Sequence, residues 1–402
     1  MSPTTSYSSL AAVFSSAARL AWIRPDSIGD GVLASTMLPL IKARYPQLDI
    51  TVVCQERLVE LYRHRPDVGG VVGCRCGALA ADESYRNELI KRLEGLQADI
   101  ALNSVYSRNV ASDFLTLATA APYRIGLQGS LENMLPAERD ANNRYYTHIL
   151  EVGSACDSEL NKHIKLLHAI GVETVELKPD LAIPCEAQAL ADRFLNDVGV
   201  DPKGIIALFA GAQVDVRIYE RYGEALSDLC RTRGFTVVAL GGTADAAINQ
   251  LNLESIKGVY FNLSGRTTLF QAAALIRRCR LAVGAETGLA HIACAVGTPN
   301  VILLGGGHFG RFMPYSPLTT VACLPLECFG CNWGCRYGFP YCVKAVAPQV
   351  LKAAIAAALE GEAGRPRIFA QESFAIVPGM PAPRVIDPQM LSRFGAVFRV
   401  HV

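Results

Sequence analysis

Short apolar runs alternate with amphipathic stretches along the first half of the chain. Residues 20–24 are an apolar run, 25–31 a polar turn, and 32–44 repeat apolar residues at helical spacing up to Tyr45-Pro46. The pattern continues with strand-like runs at 49–54, 71–74 and 99–105, and helical stretches at 58–64, 83–95 and 158–170. Alternation at this spacing predicts βαβ units around a mainly parallel sheet. Residues 128–150 are polar and read as a long surface loop.

After an extended, proline-flanked stretch at 178–184 the alternation starts again. Strands are predicted at 205–209 and 236–240, helices at 222–233 and 269–279, and a glycine turn at 241–243. The expected fold class is therefore α/β, with two Rossmann-like, doubly wound domains. We place the first at 1–184, the second at 185–363 with a cysteine-rich loop at 323–342, and a proline-rich tail at 364–402. Two such domains are expected to carry ligand in a cleft at the carboxyl ends of their strands.

Length supports two domains, because 402 residues exceed what one core usually organises. A net charge of +1 argues against a nucleic-acid protein, which normally carries a basic excess. No apolar run is long enough to span a membrane. Residues 1–18 lack a basic start and read as an amphipathic or frayed lead-in, so a cytoplasmic protein is expected, with at most peripheral membrane contact. Its thirteen cysteines are then mostly free thiols or metal ligands.

The most informative stretch is 281–305. It reads as strand, tight turn, short helix and second strand. The turn carries Gly284, Glu286, Thr287 and Gly288, and His291 follows on the same helix face as Thr287. A helix start offers unpaired N–H groups and a positive dipole end, which suit a diphosphate. Other turns at strand ends add candidates. Asp30 and Asp113 are carboxylates able to act as a base, or helix-start residues. Arg217 and Tyr219 follow the second domain's first strand, and Gly241, Gly242, Gly305, Gly306 and His308 lie in glycine turns suited to close ligand approach. Cys328, Cys331, Cys335 and Cys342 fall within fifteen residues, a density expected of a structural zinc or iron site rather than of spectator thiols.

In this order the motifs resemble the bacterial heptosyltransferases of glycosyltransferase family 9. The resemblance lies in Ile23–Leu33, Val237–Asp245, Asn262–Leu269 and Val283–Gly305, and extends over about residues 20–360. It implies a GT-B fold and an inverting, metal-independent transfer from a nucleotide sugar, by default ADP-heptose. It implies Asp30 as general base, and Thr287, Gly288 and His291 as holders of the donor. Arg217 stands where the family usually has lysine, and Tyr219 where tryptophan is common. The family's usual Asn-Asp-Ser/Thr-Gly is here Ala285-Glu286-Thr287-Gly288, a carboxylate moved out by one methylene. The cysteine group resembles Cys-rich stretches of many members, including iron-binding heptosyltransferases that modify proteins.

The leading expectation is a sugar transferase acting on a hydroxyl of a lipid-linked glycan core or a protein. Sequence leaves open a nucleotide-sugar epimerase of the same architecture, and a non-catalytic nucleotide-sugar-binding assembly subunit.

Overall fold

A computed structural model describes residues 7–361 and 363–402. Residues 1–6 of the expected lead-in lie outside it; the rest forms the helix Tyr7–Ser16, which buries Leu10 and Phe14. The chain divides into two compact units, Met1–Pro179 and Asp180–Val402.

The first unit contains β1 (Arg19–Arg24), β2 (Asp49–Gln55), β3 (Gly70–Cys74), β4 (Ile100–Asn103), β5 (Tyr123–Leu127) and β6 (His148–Leu150). Their order is β3-β2-β1-β4-β5-β6 and every pairing is parallel. β1 runs from Arg19 opposite Asp49 to Arg24 opposite Cys54, with all but Arg19 buried. Strands covered on both faces read as continuous apolar runs, which is why the alternation was visible in sequence.

The second unit contains β7 (Ile205–Phe209), β8 (Thr236–Ala239), β9 (Tyr260–Asn262), β10 (Leu281–Ala285), β11 (Asn300–Leu303) and β12 (Thr319–Cys323). Two more strands, β13 (Arg367–Gln371) and β14 (Ala396–Val400), come from the tail. The order is β14-β13-β12-β11-β10-β7-β8-β9, again all parallel. Its first six strands repeat the order of the first unit, the arrangement of a doubly wound nucleotide-binding sheet. The core packs Ile206, Leu208, Val237, Leu281, Val283 and Val301 against the helices Tyr222–Arg233 and Pro348–Glu360.

Two local expectations change. The single helix expected at 32–44 is two, Ile28–Ser35 and Met37–Arg44. Pro39 has no N–H to give the preceding turn, so the helix restarts beside it. The loop expected at 128–150 holds the helix Pro136–Asn143 and β6; no residue of that helix is buried, so it left no apolar periodicity. Among the described residues no helix is long and apolar enough to cross a membrane.

Candidate active site

In the first unit the chemistry gathers where β1 and β4 end. The helix Ile28–Ser35 is capped by Ser27, whose Oγ also donates to Asp30 Oδ2 at 2.5 Å. Asp30 is therefore in the first helical turn and is not the cap. Beside it Arg24 is buried, donating from Nη1 to the Ser104 carbonyl at 2.6 Å. Its Nη2 reaches Asp26 Oδ2 at 2.6 Å and the Asp30 carbonyl at 3.4 Å. Burial pushes the Asp26 carboxyl up to about 7 against the pull of Arg24, and Asp30 nearby pushes it further. Asp26 Oδ1 has no hydrogen-bond partner.

The helix Glu159–Ala169 adds a second layer of charge. Lys162 is buried, bonds Glu159 at 2.9 Å and lies 3.8 Å from the Tyr106 ring centre. His163 is 2% exposed and neither ring nitrogen has a partner. Burial lowers its pKa to about 3, with Arg24 and Lys162 acting the same way against Glu159. Sequence reasoning missed Arg24, Asp26 and His163: Arg24 read as a strand residue, and only Asp26, in the same turn as Asp30, carried a usable signal.

Asp113 takes the second of its two expected places, as a carboxylate in the first turn of the helix Val110–Leu117. It is 2% exposed and accepts from Tyr146 Oη at 2.7 Å, Asn142 Nδ2 at 2.9 Å, and Arg108 Nη1 and Asn103 Nδ2 at 3.4 Å. With three donors on Oδ1, one on Oδ2 and almost no exposed surface, the carboxylate ties β4, the helix Val110–Leu117 and residues 142–146 together, the place of a structural group.

In the second unit β10 delivers Glu286 at its carboxyl end, and the helix Gly288–Ala295 starts two residues later. Thr287 is its N-cap residue with extended backbone, and no side chain caps this end. Glu286 is 6% exposed; its Oε2 accepts from Arg217 Nη2 at 2.8 Å and its Oε1 lies 3.7 Å from His291 Nε2. Burial works to raise the Glu286 pKa, but Arg217, His291 and His308 together hold it below the usual carboxylate range. His291 is braced from behind, its Nδ1 3.2 Å from Tyr315 Oη and its ring stacked on the Tyr315 ring. The structure thus brings Arg217, Glu286, Thr287, Gly288 and His291 together at the end of β10.

The other candidates are structural. Tyr219 is buried and donates to the Val346 carbonyl at 2.9 Å. Asp245 folds onto Gly241 and accepts from the Gly242 N–H at 2.8 Å, closing that turn on itself. Gly284 packs on Phe209, whose carbonyl would lie 2.3 Å from an added Cβ. The room beside Gly305 is filled by Val343 and Trp333, and that beside Gly306 by Phe329. Gly241, Gly284, Gly305 and Gly306 admit close approach of protein groups, whereas Gly242 meets only Asp245 at ordinary contact distance.

Cys328, Cys331, Cys335 and Cys342 line one pocket with Trp333, Tyr337 and Tyr341. Burial pushes the Cys342 thiol up to about 12, and the other three cysteines add to the shift. Among the described residues no three His, Cys, Asp or Glu side chains converge closely enough to hold a metal ion. The four sulfurs have the chemistry for a soft metal, without the convergence of a formed site.

The sequence profile of glycosyltransferase family 9 (heptosyltransferase) matches residues 86–335. The chain belongs to glycosyltransferase family 9. Membership makes it a glycosyltransferase, and its relatives are named accordingly. It is 26% identical to lipooligosaccharide heptosyltransferase 2 of Haemophilus influenzae over 293 residues, 70% of this chain and 82% of that one. It is 23% identical to an Escherichia coli lipopolysaccharide heptosyltransferase 3 over 72% of this chain and 84% of that one. A family 9 glycosyltransferase from Veillonella parvula superposes with a TM-score of 0.69 at 20% identity, covering 85% of this chain and 97% of that one. E. coli ADP-heptose lipopolysaccharide heptosyltransferase II gives 0.66 at 21% identity, over 85% and 98%. These two likenesses establish the shared GT-B fold of family 9.

Proposed function

We propose that the chain transfers heptose from ADP-heptose to an acceptor hydroxyl with inversion, without a catalytic metal. The observation that carries this reading is the Arg217–Glu286–His291 group beside an uncapped helix start at the end of β10. In the reading, the donor diphosphate lies at Thr287 and Gly288, where backbone N–H groups and the helix dipole meet its charge. Arg217 contributes further donors beyond the one given to Glu286, since a guanidinium has five. Glu286 and His291 face the sugar.

Asp30 takes the proton of the acceptor hydroxyl as its oxygen attacks the anomeric carbon from the face opposite the diphosphate. The new C–O bond forms as the bond to the diphosphate breaks, and ADP leaves with the electron pair. Ser27 holds the carboxylate in orientation, and Asp26 with Arg24 sets the local field. Preorganised charge of this kind supplies a large share of such rate enhancements. The relatives' names support a lipopolysaccharide or lipooligosaccharide core as acceptor; a protein hydroxyl is the competing acceptor. The four-cysteine loop is proposed to bind a structural zinc or iron.

ADP release from ADP-heptose, with core glycolipid or protein acceptor, tests the reading directly. Asp30→Asn is expected to lower kcat by about 10²–10⁴-fold while the ADP Kd stays unchanged. Release only from a UDP- or GDP-sugar discards the heptose. ADP binding with no turnover on either acceptor turns the reading into that of a binding subunit, and turnover of donor alone into that of an epimerase.

A further inference from the structure

The cysteine-rich loop is built onto the loop that ends β11. The Gly330 N–H donates to the Gly306 carbonyl at 2.8 Å and the Asn332 N–H to the Gly307 carbonyl at 3.1 Å. Between the cysteines, Asn332 and Trp333 both have left-handed backbone, with φ of 48° and 63°. Residues other than glycine adopt that conformation when their surroundings impose it. The Trp333 ring lies flat over the glycine loop, where a Cβ on Gly307 would come within 2.4 Å of it.

We propose that Asn332 and Trp333 are positioning residues of the donor site, acting through His308 and Arg217. The proposal rests on the donor reading above. Trp333 Nε1–H donates to His308 Nδ1 at 3.2 Å. An indole only donates, so Nδ1 carries no proton. His308 Nε2 lies 2.5 Å from Asn332 Oδ1, an acceptor, so Nε2 carries the proton. The opposite amide orientation would ask both ring nitrogens to accept, which a neutral imidazole cannot do. Two consecutive loop residues therefore fix one tautomer and one ring plane of His308. The same indole lies 5.0 Å from the Arg217 guanidinium, which is ion-paired to Glu286 on its other contact. Trp333 and Glu286 together leave Arg217 a single orientation, and the donors not taken by Glu286 are aimed by that clamp at the diphosphate.

Calorimetric titration with ADP, ring 15N NMR of His308 assigned with H308Q, and indole emission test the proposal. Trp22, the other of the two tryptophans, is buried within the first unit, and an emission response to ADP is assigned to Trp333 where W333F abolishes it. Wild type should show an unprotonated Nδ1 on His308 and an emission change on ADP binding. W333F keeps a ring and removes the N–H; W333L removes both contacts. We expect W333F and N332A to raise the ADP Kd and the donor KM about three- to tenfold, with kcat within about twofold, and W333L to do more. A protonated Nδ1 in wild type, or emission unmoved by saturating ADP, overturns the proposal even if a variant does not fold. So does W333F binding ADP like wild type, or losing stability and kcat with KM unchanged. Wild type that does not bind ADP overturns the donor reading as well; any other negative result overturns this proposal alone.

Discussion

Glu286 and Arg217 are 69 positions apart in sequence and meet at 2.8 Å, one at the end of β10 and the other just beyond β7. β7 and β10 are neighbours in the sheet, with Gly284 opposite Phe209, so their carboxyl ends bring the two loops together. The two side chains are mostly buried, 15% and 7% exposed, so removing one partner strands the other. Arg217→Ala should cost about 1–3 kcal/mol of stability by chemical denaturation and raise the donor KM. Arg217→Lys should recover most of the stability and less of the KM, because a lysine replaces the planar fork with a point charge. Equal KM values for Arg217→Lys and wild type would remove the arginine's orientation from the argument.

His163 and Asp26 should tilt the pH dependence of stability in opposite directions. The folded pKa of His163 is lowered to about 3, so between there and its unfolded value the unfolded chain holds the extra proton. Its contribution is present at neutral pH and is lost as pH falls. The Asp26 pKa is raised to about 7, so over a similar range the folded chain holds the extra proton. Its contribution is present at low pH and is lost as pH rises. Each slope is at most about 1.4 kcal/mol per pH unit, and in wild type they oppose. Relative to wild type, His163→Leu should lose stability as pH rises from 4.5 to 6, and Asp26→Asn should gain it. Urea midpoints across that interval measure both, and parallel curves for all three proteins would refute the assignment.

Asp113 offers a contrast between a structural and a catalytic carboxylate. Asp113→Ala leaves Arg108, itself 2% exposed, without its ion-pair partner. We expect a loss of about 3–5 kcal/mol in unfolding free energy, with the ADP Kd unchanged. Asp113→Asn should fall between. A stable Asp113→Ala protein with abolished turnover would return Asp113 to the chemistry.

The four-cysteine loop predicts a metal in the purified protein. Binding as proposed requires the four thiols to close on one ion, and elemental analysis should then find about one zinc or iron per chain. Chelation should lower the thermal midpoint, and Cys335→Ser should do the same with loss of the metal. Four freely titrating thiols in the native, metal-free protein at full thermal stability would set the loop down as a packing element.

Much of this was legible because the strands are buried on both faces. Ile205–Phe209 and Leu281–Ala285 are buried at every position and stand out as apolar runs. β5, β6, β9, β12, β13 and β14 were not read: Tyr260–Asn262 is short and partly exposed, Ala396–Val400 has no buried residue, and Thr319–Cys323, though buried throughout, opens on two threonines that shorten its apolar run. The helix start at Gly288 was legible because its signal is local. Trp333 with His308 was not, since 25 positions separate them and only the loop carried on β11 joins them. The glycines misled for a related reason: their identity records a close approach, and the structure supplies Phe209, Phe329 and Trp333 as the approaching groups.

The order of the strands also bears on how the chain is made. In the first sheet β2 and β3 extend outward from one side of β1, then β4, β5 and β6 from the other. The second repeats this about β7, with β8 and β9 on one side and β10 to β14 on the other. Emerging from the ribosome at roughly 5–20 residues per second, each new strand finds an open edge of the sheet already formed. None has to be threaded between two paired neighbours, and β14 completes the outermost rung after every other strand of its sheet.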